Sequence, residues 1–266
     1  MSISEPGAKF RAGTVTVGDY VLDYAEAGPT EPAATIVSFP GSAGLEMSTA
    51  KDTLADTYRI IEINPPGWGG KEDLTHPMGM DEFAAVLVEA ADQLVDGPYF
   101  LLGTSMGGAN AIHAAVMKSD RVKGVVLEAS MAPVAREDLY FPDPPAIDPS
   151  MGIENYPLPP VHPRKPWATE DFMRTQMLNR MKMFPFTRLD MLPAALADLA
   201  AQGTPVLALL GESDEIIKPS QRDRYDEYLP DAQYVSIASA GHDIQNTSPE
   251  EFVDAVKAFV NLHSGA

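Results

Sequence analysis

Three residues, Ser105, Asp214 and His242, have the types and neighbourhoods that nucleophilic chemistry needs. Ser105 lies in LLGTSMGGANAIHAA (101–115), where an apolar run gives way to Gly103-Thr104-Ser105-Met106-Gly107 and then to a helix-like pattern. Glycine is costly there unless the backbone adopts a conformation that side chains forbid, or something must come very close. The spacing is G-x-S-x-G, which reads as a tight strand-to-helix turn that pushes the serine hydroxyl outward. Asp214 follows the apolar run PVLALL, within GESDEIIKP, and His242 follows AQYVSI, within SAGHDIQ. A serine hydroxyl is a poor nucleophile near neutral pH and needs a base to take its proton. Imidazole can take that proton and return it to the leaving group. A carboxylate fixes the imidazole tautomer and stabilises the imidazolium. The developing oxyanion needs backbone donors. The N–H of Met106, at the start of the next helix, is one; the second is expected from SFPGSAG (38–44), at Ser42. Rivals exist for two of the roles. Glu212, Glu215 and Glu128 compete for the acid, and His76, His113, His162 and His263 for the base.

These residues meet only if the elements around them put them on one edge. GTVTVGDYVLDYAEAG (13–28) alternates apolar and polar residues about Gly18-Asp19, as an antiparallel hairpin does. Six further runs follow: ATIVSF (34–39), YRIIEI (58–63), PYFLL (98–102), VKGVVLE (122–128), PVLALL (205–210) and AQYVSI (232–237). Most are continuously apolar, as strands covered on both faces are. MDEFAAVLVEAADQL (80–94) places Phe83, Val86, Leu87, Ala90 and Leu94 on one helical face. SPEEFVDAVKAFV (248–260) reads as a helix with Ser248 as N-cap, Pro249 at its first position and Glu251 closing a capping box. Strands alternating with helices mean an α/β fold with a mostly parallel sheet. In such sheets ligands gather beyond the carboxyl ends of the strands, and all three candidate residues follow strand ends.

Residues 131–166 break the alternation. They hold ten of the twenty-four prolines, so this segment is not central sheet. TEDFMRTQMLNRMKMF (169–184) then reads as a helix capped by Thr169. Residues 131–190 are therefore expected to be a lid inserted into a core made of 1–130 and 191–266. Met173, Met177 and Met181 recur at every fourth position, either as lid packing or as an adaptable apolar wall for substrate. Trp68 is a further candidate for that wall.

The net charge of −19 opposes nucleic-acid phosphates and anionic membranes. A small-molecule substrate is the partner expected, with no nucleic acid and no membrane; the oligomeric state is left open. There is no cysteine and no His/Asp/Glu cluster with metal-ligand spacing, so no metal and no cofactor are expected. MSISEPGAKFRAGT lacks an apolar core for secretion, which makes a soluble cytoplasmic protein the expectation.

Taken together, the YAEAG hairpin, the oxyanion loop, NPPGWGG, the elbow GTSMGG, GESDEIIKP and AGHDIQNTSPEEF occur in an order that resembles the α/β-hydrolase superfamily. The resemblance covers nearly the whole chain. It is strongest to lid-bearing serine esterases, C–C hydrolases and cofactor-free haloperoxidase-like enzymes. The fold it implies is a mostly parallel central sheet with helices on both faces and a helical lid. The activity it implies is hydrolysis of a carboxylic ester, thioester or lactone of a medium-sized, mostly neutral or hydrophobic molecule, through an acyl-enzyme on Ser105. C–C hydrolysis or perhydrolysis on the same residues is the alternative, and ligand binding without turnover a third. The sequence departs from the family pattern at Pro40-Gly41 (usually His-Gly), Asn64 (usually Asp) and Lys71 (usually Ser). Against the C–C hydrolases, Thr104 replaces an asparagine and no tryptophan follows His242.

Overall fold

Apolar runs with few polar interruptions form strands here because both faces of the sheet are covered. The computed structural model describes residues 6–69, 74, 76, 78–131, 169–171, 173, 174, 192–217 and 222–265. All eight expected strands form: β1 (Arg11–Val17), β2 (Tyr20–Ala27), β3 (Thr35–Phe39), β4 (Arg59–Ile63), β5 (Tyr99–Thr104), β6 (Val122–Glu128), β7 (Val206–Gly211) and β8 (Gln233–Ile237). They make one sheet in the order β1-β2-β4-β3-β5-β6-β7-β8. Only β2 runs against its neighbours; every other pairing is parallel. The β1–β2 turn uses Gly18 at φ 54, which two-residue hairpin turns favour. Strand β5 runs two residues beyond its expected end, so Ser105 follows the strand directly.

Helices α2 (Met80–Leu94), α3 (Met106–Met117), α4 (Leu192–Gln202) and α5 (Arg222–Tyr228) cover one face. Helices α1 (Thr49–Leu54), α6 (Ile244–Thr247) and α7 (Pro249–His263) cover the other. Helix α2 has the expected bounds and buries Phe83, Leu87 and Ala90, while Val86 and Leu94 are only partly buried. Its start is secured by Glu82, whose carboxylate accepts the Gly79 N–H at 2.6 Å. Helix α7 begins at Pro249 as expected and buries Phe252, Val256 and Phe259. The capping box expected at Ser248 does not form. That hydroxyl is drawn instead to Ser239 Oγ, 3.0 Å away.

Of the segment expected to be a lid, 131–190, residues 131, 169–171, 173 and 174 are described, and there the Met173 N–H donates to the Thr169 carbonyl at 3.0 Å. The rest of that segment, its expected end at 190 included, lies outside the described residues.

On the α1/α7 face, four adjacent strands end in polar residues rather than apolar ones. Glu62, Ser38, Thr104 and Glu128 continue the rows begun by Ile60, Ile36, Leu102 and Val126, because side chains two apart share a face. Lys51 of α1, itself buried, reaches Glu62 Oε1 at 2.7 Å and the Glu46 carbonyl at 3.1 Å. Burial pushes the Glu62 carboxyl up to about 7, and Lys51 opposes that rise.

A carboxyl raised above its ordinary 4.5 loses folded-state stability as pH climbs through its folded value, and Lys51 offsets that loss. Lys51→Met should therefore cost about 3–5 kcal/mol in urea unfolding at pH 8, where Glu62 loses its cationic partner and must either stay charged without it or take up a proton against the pH. The cost should shrink clearly at pH 5, where Glu62 is protonated. An equal loss at both pH values would show that the ion pair is not what Lys51 supplies.

Candidate active site

Ser105 has φ 51 and ψ −114, a combination that costs a non-glycine residue about 1–3 kcal/mol. Its surroundings hold it there. The Ser105 N–H donates to the Glu128 carbonyl at 2.9 Å, and the Ser105 carbonyl accepts from Gly108 N at 3.0 Å and Met131 N at 3.3 Å. A Cβ on Gly107 would fall inside the carbonyl oxygens of Phe39 and Pro40, and one on Gly103 would strike the backbone of Gly107. Those two glycines let α3 close onto the ends of β3 and β5. Met106 is the first residue of α3, so its N–H has no acceptor within the helix and suits a developing negative charge.

The second expected donor, Ser42, lies in a turn closed by Gly44 N donating to the Gly41 carbonyl at 3.1 Å. A Cβ on Gly41 would sit 3.4 Å from the Ser105 Cβ, so this loop passes directly beside the serine. Two residues support it. Asn64 Oδ1 accepts the Leu45 N–H at 2.7 Å, and the Trp68 indole N–H donates to the Ser42 carbonyl at 3.2 Å. Trp68 was expected to face substrate. It has no exposed surface and packs edge-on against Phe83, so here it braces the loop. Asparagine at 64 also has a physical reason. The Asn64 amide and the Asp23 carboxylate both crowd Gly69, so an aspartate at 64 would set two negative charges together.

Asp214 and His242 are brought together: His242 Nδ1 lies 2.9 Å from Asp214 Oδ2. The other carboxylate oxygen, Oδ1, accepts the N–H groups of Ile216 and Ile217, each at 2.8 Å. With its carboxylate so held, Asp214 is an acceptor for Nδ1–H and leaves Nε2 as the basic nitrogen. The Asp214 side chain is 1% exposed and the imidazole 22%, so the carboxylate is sealed and the imidazole is accessible. The loops that carry them are tied together by Ser213 N donating to the Ala240 carbonyl at 2.9 Å.

The rival acids are not on this histidine. Glu212 and Glu215 are exposed, and Glu128 is buried among Thr104 and Gln245. Among the rival histidines, His113 is buried in α3, where desolvation lowers its pKa. His76 is exposed and His263 packs on the Phe259 ring. Met173 is half-buried; Met177, Met181, His162 and Lys71 lie outside the described residues. Sequence reasoning missed how the elbow is held from below. Ala129, at φ 42, is the other non-glycine residue with positive φ among the described residues, and it follows Glu128 directly. Tyr225 of α5 donates to the Met131 carbonyl and lies 3.1 Å from Ser130 Oγ. A buried acid ending a strand was the available signal for Glu128; nothing marked Tyr225.

A strained serine between a strand and a helix, with an Asp–His pair at the same sheet edge, is the arrangement of a hydrolase of the α/β class. Residues 38–255 match the alpha/beta hydrolase family, and the chain belongs to it. It is 26% identical to polyketide synthase ThaQ of Burkholderia thailandensis across 98% of this chain, which spans only 13% of that protein. It is 25% identical to the pimeloyl-[acyl-carrier protein] methyl ester esterase of Nitrosomonas europaea, over 78% of this chain and 87% of that one. In three dimensions it is similar to the esterase RhEst1 from Rhodococcus sp. ECU1013, with a TM-score of 0.73 and 21% identity over 96% of this chain and 99% of the other. Among the described residues no helix is long and apolar enough to cross a membrane.

Asn64→Leu removes the acceptor for the Leu45 N–H, and should lower stability by about 1–3 kcal/mol in urea unfolding. An unchanged midpoint would mean that the loop beside Ser105 does not depend on Asn64.

Proposed function

We propose that this protein is a serine hydrolase that cleaves a carboxylic ester, thioester or lactone of a medium-sized, mostly neutral or hydrophobic molecule. The observation that carries the reading is the His242–Asp214 hydrogen bond at the edge where Ser105 is held at positive φ. In the proposed reaction His242 Nε2 takes the Ser105 proton as the hydroxyl oxygen attacks the acyl carbon. The N–H groups of Met106 and Ser42 take the charge that develops on the carbonyl oxygen. Collapse expels the alcohol or thiol, which leaves with the proton from His242. Water then attacks the acyl-enzyme by the same route and releases the acid. Asp214 holds the imidazole in the tautomer that both steps require. Similarity to an acyl-carrier-protein methyl ester esterase and to part of a polyketide synthase supports an acyl chain as the electrophile.

Ser105→Ala should abolish labelling by a fluorophosphonate probe and lower kcat by roughly 10⁴–10⁶ without unfolding the protein. Asp214→Asn should cost on the order of 10⁴ in kcat by favouring the wrong tautomer. Full labelling of the Ser105→Ala variant in intact-mass measurements would overturn the assignment.

An apolar acyl pocket makes each added methylene useful until the space is full. Across nitrophenyl esters of increasing chain length, kcat/KM should rise by at most about 0.8 kcal/mol per CH₂ and then level off. A profile flat from acetyl to octanoyl would argue for a polar acyl group instead.

A further inference from the structure

Glu128 is fully buried at the end of β6 and takes no part in the proton transfers described above. Its carboxylate nevertheless accepts three hydrogen bonds from two segments that matter to them. Thr104 Oγ1 donates to Oε2 at 2.7 Å, the Gln245 backbone N–H donates to Oε1 at 2.7 Å, and Gln245 Nε2 donates to Oε2 at 3.1 Å. Thr104 is the residue before Ser105, and Gln245 is three residues past His242. Gln245 is fixed in turn by Ser48 Oγ, which donates to Gln245 Oε1 at 2.9 Å. The Glu128 backbone takes part as well, because its carbonyl accepts the Ser105 N–H at 2.9 Å. The chain then turns at Ala129 with φ 42, and Met131 N returns to the Ser105 carbonyl. A serine at positive φ relaxes unless its neighbours over-determine it.

We infer that Glu128 is a positioning residue, whose carboxylate sets the separation of the Ser105 elbow from the His242 loop. The inference rests on the acyl-transfer reading of Ser105 and His242. Three donors converge on one group, and only a carboxylate offers acceptors to all of them. Glutamine, the isosteric replacement, turns one oxygen into a donor, so at least one of the three contacts becomes donor against donor. A misplacement of about 1 Å between reacting groups is enough to cost roughly 10²-fold in rate.

The test compares Glu128→Gln, Thr104→Val and Thr104→Ser with the parent on a nitrophenyl ester, with urea unfolding alongside. Glu128→Gln should lower kcat by roughly 10- to 100-fold with KM within about twofold, and slow fluorophosphonate labelling by a similar factor. Thr104→Val, which keeps the shape and loses the hydroxyl, should fall the same way. Thr104→Ser, which keeps the hydroxyl, should restore kcat to near the parent's. Thr104 is only half-buried, so its variants carry the test if Glu128→Gln does not fold. Lower unfolding midpoints with an unchanged kcat in both Glu128→Gln and Thr104→Val would overturn the inference and leave Glu128 as packing. If Ser105→Ala and Asp214→Asn also keep the parent's kcat, the acyl-transfer reading itself has failed; if they abolish turnover, only the role of Glu128 has.

Discussion

The approach of α3 to the ends of β3 and β5 is the constraint on which the rest of the sheet edge depends. Backbone meets backbone there, with no side chain between Gly107 and the carbonyls of Phe39 and Pro40. Because the helix starts that close, the connection from β5 has only one residue in which to turn, and that residue is Ser105 at φ 51. The strain is thus not a local oddity of one serine. It follows from packing a helix start against a strand end at the shortest distance the chain allows, and it aims the unsatisfied N–H groups of α3 at the same place as the serine.

Below that edge the sheet does something costly. Four neighbouring strands finish with polar side chains on the face that α1, α6 and α7 cover, and two of the four are acids with no solvent exposure. Each is matched by a donor from another segment: Lys51 of α1 for Glu62, and Gln245 of α6 with Thr104 of β5 for Glu128. Buried polar groups satisfied in this way fix one arrangement of the segments that contribute them, where a purely apolar layer tolerates several. Segments far apart in sequence, residues 46–51, 104 and 245, are thereby held in one register with the strand ends.

Much of this was legible in the sequence, for identifiable reasons. Strands announced themselves as uninterrupted apolar runs, and α2 as a one-sided apolar pattern with acids at its start. Asp214 and His242 could be picked out because each is a polar residue just past such a run. What escaped reading depended on partners remote in the chain. Gly103 and Thr104 carry no apolar signal, yet they belong to β5 because their backbones pair with β6. Ser248 has the right type and position for a cap, but a hydroxyl nine residues away claims it. Trp68 has the size of a pocket residue, but its indole N–H finds the Ser42 carbonyl and Phe83 covers its ring. Lys51 has nothing in its neighbourhood to foretell burial against Glu62. Asn64 stands where the resemblance to the family leads one to expect an aspartate, and the crowding of Asp23 and Asn64 about Gly69 supplies a reason.

One small arrangement ties the serine turn to a distant part of the chain. Met131, three residues past the end of β6, is pinned twice: its N–H donates to the Ser105 carbonyl and its carbonyl accepts from Tyr225. Tyr225 belongs to α5, 94 residues further along the chain. The turn that carries the serine is therefore closed from below by a hydroxyl from the last third of the sequence. Its geometry is complete only when residues 104–131 and 222–228 have come together, so the strained serine is a property of the assembled core and not of the local turn alone.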